Sequence, residues 1–300
     1  MAFSSLRALI GGGGGGGGGN QAIFGYGYTS SLTAITNKVS NAGVVATDTT
    51  GVGTARSDLA AAGYGTDKAI FGYGHTGSSS NLTNLVSNTG VVATDTSGVG
   101  SSRYQLAAAG YGTDKAIFGY GTTGSNSSLT NKVSNAGVVA TDTTGVGSSR
   151  KKLAAAGYGT DKAIFGYGYT SSNVSLTNLV SNAGVVATDT TGVGTARQQL
   201  AAAGYGTGKA IFGYGYTSSV VSTTNLVSDA GVVATDTTGV GTARNALAAA
   251  GYGTSKAIFG YGYTSSAVSM TNLVSDAGVV ATDTTGVGSA RLNLAAASYG

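Results

Sequence analysis

Three hundred residues with 16 basic and 12 acidic side chains, one His and no Cys exclude disulfides, thiolate metal sites and a multi-histidine metal centre. The formal charge of +4 is scattered, with Arg150, Lys151 and Lys152 the only run of adjacent basic residues, so no stripe points to nucleic acid. Fifty-three glycines argue against a helical bundle, where each would cost about 0.5–1 kcal/mol, and no apolar run is long enough for membrane insertion by a helix.

The chain opens on "MAFSSLRALI", in which Phe3, Leu6, Leu9 and Ile10 are apolar at helical spacing, and continues into nine consecutive glycines, residues 11–19. The apolar core is too short for a secretory signal. A peptide of this length does not fold alone, so residues 1–20 are read as a docking arm on a polyglycine tether. The tether spans at most about 30 Å. Several such tracts could instead pack as extended left-handed helices, which would make the arm a route to a homo-oligomer.

From residue 21 the chain is periodic. Phe24, Phe71, Phe118, Phe165, Phe212 and Phe259 each lie in "AIFGYG", 47 residues apart, with no insertion or deletion. One unit, residues 197–243, parses into four short strands. "LAAAGYG" is small and apolar, and "KAIFGYGY" alternates with period two, with Phe212, Tyr214 and Tyr216 on one side. "TTNLVSD" and "VVATDT" follow, joined by a tight turn.

Six four-stranded units of this length predict an all-β, six-bladed β-propeller over residues 21–300. The chain enters at a second strand, residues 21–27, and leaves after a first strand, residues 294–300. That offset predicts that the C-terminal strand pairs with the N-terminal blade and hides both edges. Phe and Ile of the second strand, with Val44, Val45 and their equivalents, are expected to pack between blades. The pattern "R..LAAAGYG..KAIFGYG" resembles the kelch repeat, although Gly-Tyr-Gly stands for the usual diglycine and the outer-strand Trp is missing. The resemblance implies the propeller fold and leaves function open.

Two charged positions recur in every copy: Asp48, Asp95, Asp142, Asp189, Asp236 and Asp283, and Arg56, Arg103, Arg150, Arg197, Arg244 and Arg291. Occurrence in all six copies favours a structural role, with Asp tying a turn and Arg pairing with Asp or with a neighbouring carbonyl. Variation concentrates elsewhere. The residue after "GYG" is Tyr28, His75, Thr122, Tyr169, Tyr216 or Tyr263, and the positions after the Arg include Tyr104, Lys151, Lys152, Gln198 and Gln199. In a four-stranded meander these two connections emerge on one face, which becomes the candidate ligand face.

Catalysis is not expected. His75 is the only histidine, there is no Glu, and the repeated Asp residues are equivalent, whereas acid–base pairs need differing environments. No cofactor or metal site is expected. The repeat style is similar to that of bacteriophage tail and structural proteins. The expected function is therefore a non-enzymatic virion protein, a tail fibre or decoration component, anchored to other virion proteins through residues 1–20 and touching a bacterial surface glycan. A free multivalent lectin is the alternative.

Overall fold

The computed structural model describes residues 19–300, so Phe3, Leu6, Leu9, Ile10 and most of the tether lie outside the described residues. The described chain is all-β, with 18 strands in six antiparallel three-stranded sheets. The first sheet holds β1 (Gln21–Gly25) and β2 (Thr36–Val39). The second holds β3 (Ala60–Tyr64), β4 (Lys68–His75) and β5 (Ser79–Val86). The third holds β6 (Ala107–Tyr111), β7 (Lys115–Gly119) and β8 (Thr130–Val133). The fourth holds β9 (Ala154–Tyr158), β10 (Lys162–Gly166) and β11 (Thr177–Val180). The fifth holds β12 (Ala201–Tyr205), β13 (Lys209–Tyr216) and β14 (Val220–Val227). The sixth holds β15 (Ala248–Tyr252), β16 (Lys256–Gly260) and β17 (Thr271–Val274).

The last strand, β18 (Ala295–Tyr299), joins the first sheet, where it pairs with β1 from Gln21↔Tyr299 to Gly25↔Ala295. The same register joins β3 to β4, from Tyr64↔Lys68 to Ala60↔Gly72. The first strands of successive sheets lie against one another, and β18 touches both β15 and β3. Their small residues Gly63, Gly110, Gly157, Gly204, Gly251 and Ser298 line one shared cavity of about 80 Å³.

The apolar core is divided among the contacts between sheets. Each of six clusters draws on two neighbouring sheets, and one joins Ala22, Phe24 and Val39 of the first to Ile258 and Tyr261 of the sixth. Glycine makes this fit. A Cβ at Gly166 would come within 2.6 Å of the Phe212 ring tip, and one at Gly260 within 2.7 Å of Phe24. Each buried Phe therefore fills the space that a side chain on the preceding sheet would take.

Three expectations are corrected. The fourth strand is not a strand: "VVATDT" meets the third strand only at isolated bridges, Val39↔Val45 and Thr36↔Thr49 in the first sheet. Between those bridges the Asn37 amide donates to Ala46 O at 3.0 Å, so a side chain occupies an acceptor that a continuous ladder would use. Val44 and its equivalents do not pack between sheets, being 61–67% exposed, because in a period-two segment only one of two adjacent valines can face the neighbour. The alternation also breaks within "GYG". A register shift between Gly213 and Gly215 puts Tyr214 at φ 63°, fully buried, and separates it from Tyr216.

Phe212→Ala is expected to lower unfolding free energy by about 3–5 kcal/mol in a denaturant titration, since it empties a close-packed contact. Truncation after Asn293 removes β18 and exposes the β1 edge. Circular dichroism should then show a lower and broader thermal transition, and an unchanged transition would refute the structural role of the last strand.

Candidate functional site

The repeated arginines lie inside the protein. All six are fully buried. Arg197 shows the arrangement: its Nε donates to Tyr214 O at 2.8 Å, Nη1 to Thr195 O at 3.1 Å and Nη2 to Asn225 Oδ1 at 2.7 Å. Its guanidinium carbon stands 4.3 Å from the ring centre of Tyr167, on the preceding sheet. The same placement over a tyrosine occurs for all six arginines, at 4.2–4.7 Å. Each such tyrosine also meets the next phenylalanine edge-on, Tyr167 with Phe212 at 5.1 Å between ring centres. Burial pushes the Tyr26 and Tyr73 phenols up to about 12, against the opposing pull of the nearby arginines.

The partner carboxylate comes from 39 residues further along, not from the aspartate eight residues before. Arg197 Nη1 is 4.0 Å from Asp236 Oδ1, and Arg291 reaches Asp48 near the other end of the chain at 3.9 Å. Asp236 accepts from the Thr195 hydroxyl at 2.5 Å and backbone amide at 3.0 Å, and from Asn225 Nδ2 at 2.9 Å. It thereby fastens the segment that crosses from one sheet to the next. Asn225 is itself fully buried, with its amide shared between Asp236 and Ala234 O. Sequence reasoning passed over this Asn, although it recurs every 47 residues in "TN", because asparagine beside strands reads as turn chemistry.

The variable positions meet elsewhere, at one end of the sheets. Isolated bridges join Ser57 to His75, Tyr104 to Thr122, Lys151 to Tyr169, Gln198 to Tyr216, Asn245 to Tyr263 and Leu292 to Tyr28. The tight turns are tied to each other separately, as where Asn88 Nδ2 donates to Asp67 Oδ2 at 3.3 Å. The face is uneven. Tyr28 is 41% and Tyr263 38% exposed, Tyr169 and Tyr216 are half-buried, and Thr122 is buried with its hydroxyl donated to Ser125 O. His75 lies against Tyr104, with ring centres 5.1 Å apart.

Lys152 and Gln199 occupy a different place from the other variable residues. With Asp58, Gln105, Ala246 and Asn293 they surround a central mouth floored by the leucine that follows each of them. All six have φ of 53–56°, the left-handed region. Their backbones form an unbroken cycle: Gln105 N–H donates to Asp58 O, Lys152 to Gln105, Gln199 to Lys152, Ala246 to Gln199, Asn293 to Ala246 and Asp58 to Asn293, at 2.8–2.9 Å. Asp58, Gln105 and Asn293 vary between copies at the same position after the Arg but were not singled out as site residues, since a left-handed conformation at a non-glycine leaves no mark in a single repeat.

Compared with known proteins, the chain matches no family model and no curated sequence.

Arg197→Met should destabilise the fold by about 3 kcal/mol or more in denaturant titrations, since it leaves buried acceptors unpaired at about 1–3 kcal/mol each. Acid stability tests the carboxylates. Burial alone would raise the Asp236 pKa, but hydrogen bonds from Thr195 and Asn225 and the Arg197 charge outweigh it and hold the carboxyl below its ordinary value. A lowered folded-state pKa gives stability that is present above the unfolded value, about 3.9. It is lost as pH falls through the folded value. The stability gap between wild type and Asp236→Asn should therefore be full at neutral pH and narrow below pH 4.

Proposed function

We propose that the six sheets are the blades of a closed six-bladed β-propeller that works as a non-enzymatic adhesion module, binding surface carbohydrate through the face bearing Tyr28, His75, Tyr104, Lys151, Tyr169, Tyr216 and Tyr263. The closed form is supported by the β1–β18 pairing and by the cycle of six backbone hydrogen bonds. The function rests on one contrast. Interior positions are nearly invariant among the copies, while chemically diverse residues gather at one end of the sheets. A rigid scaffold under varied polar and aromatic side chains suits recognition.

The exposed Tyr28 and Tyr263 rings, on adjacent sheets, offer the flat apolar surface on which a sugar ring can lie. In the setting to which the repeat style points, a bacteriophage tail fibre or decoration protein, residues 1–20 would hold the propeller to the particle. The glycan would belong to the bacterial surface.

Binding of the full chain to immobilised bacterial surface polysaccharides tests this reading. Saturable binding is expected, with Tyr28→Ala and Tyr263→Ala each weakening it about tenfold, the loss typical of an interfacial aromatic anchor. Absence of binding to any carbohydrate, with the thermal transition intact, would overturn it.

A further inference from the structure

The central mouth carries chemistry that its structural role does not require. Left-handed backbone is strained for a residue with a side chain. The chain uses glycine at many positive-φ positions, yet none of these six is glycine. The backbone cycle uses only main-chain atoms, so glycine at all six would preserve it. What occupies the positions instead is an acid, a base, three carboxamides and an alanine, on a floor of leucines repeated without change.

The cavity is about 70 Å³, room for one small functional group and not for a sugar ring. Its leucines are 5–6% exposed and supply an apolar end wall. The single acid and single base leave the rim without net charge, so neither a free carboxylate nor a free ammonium is favoured overall. Gln199 Oε1 accepts from Asn245 Nδ2 at 3.0 Å, which turns the Gln199 amide hydrogens toward other acceptors. Asp58 Oδ2 has two long contacts, from Asn293 Nδ2 and from Ser57 Oγ, each at 3.4 Å. Burial raises the Asp58 carboxyl against hydrogen bonds from Gln105 and Ser57, and burial with the neighbouring Lys151 charge lowers the Lys152 ammonium, while the Asp58 and Lys152 charges each pull the other back.

We propose that this mouth is a binding site for an acetamido group, the N-acetyl substituent of an amino sugar, with its methyl on the leucine floor, its carbonyl accepting from Lys152 and Gln199, and its N–H donating to Asp58. A neutral group with one donor, one acceptor and one methyl matches the neutral rim and apolar floor, where a hydroxyl would leave the leucines uncovered. The proposal rests on the carbohydrate-binding reading and adds the class of sugar.

Titration calorimetry on the full chain with N-acetylglucosamine, glucosamine and glucose tests it. The N-acetyl sugar should bind at least tenfold more tightly than either of the others. Ala246→Gln should abolish that preference by filling the mouth, and the fold should tolerate it because Gln105 and Gln199 already hold glutamine at the same backbone geometry. Lys152→Ala should reduce the preference several-fold. A preference that survives Ala246→Gln overturns the proposal, as does equal binding of the three sugars, and in both cases carbohydrate binding itself stands. Failure to bind these sugars or any surface polysaccharide overturns both readings together.

Discussion

Six guanidinium groups, shut away from water, hold the sheets to one another. An arginine cannot shed its charge, so burying it is tolerable only where carbonyls, a carboxylate and an aromatic face replace the lost hydration. Each sheet here supplies part of that replacement and borrows the rest: the tyrosine ring comes from the sheet before, and the carbonyl and Asn from the sheet that the arginine's segment enters. A repeat by itself would leave its arginine half-solvated and its Phe without a glycine to cover. Order within one sheet therefore presupposes order in its neighbours, which makes the array cooperative in the manner of repeat proteins.

Much of this was legible in the sequence because the repeats act as their own comparison. The 47-residue spacing of Phe and the phase offset of the two ends predicted the sheets and the partnership of the last strand with the first. Features that break local alternation were not legible. Tyr214 turns left-handed and swings inward where a period-two pattern places it beside Tyr216, and the outermost segment loses its ladder to the Asn amide. Arg197 pairs with Asp236 near the far end of its own 47-residue unit, and sequence spacing favours the closer and wrong aspartate of the unit before. The variable face was foreseen as a set, whereas its division into a peripheral group and a central mouth depends on backbone dihedrals.

The opposite end shows how the copies keep their charge in balance. Asp67, Asp114 and Asp161 each accept from an asparagine 21 residues later. Where that turn position becomes Gly208 or Ser255, the later position becomes Asp229 or Asp276. One carboxylate is thus kept in five of the six pairs of turns, the sixth being the neutral Asn20 and Asn41, and two facing acids never occur. The exchange keeps the far end nearly uniform in charge while the variable face diversifies.

The partnership of β18 with β1 has a consequence for how copies of this protein meet. The register of that pairing is the one used between β3 and β4, and the residues concerned are nearly those of every other first and second strand. Nothing in the hydrogen bonds tells a molecule's own terminal strand from one donated by another copy. Only the high local concentration of a tethered segment favours pairing within one chain. In a crowded setting, during synthesis or after partial opening, the same strand is equally suited to domain-swapped dimers and longer open chains.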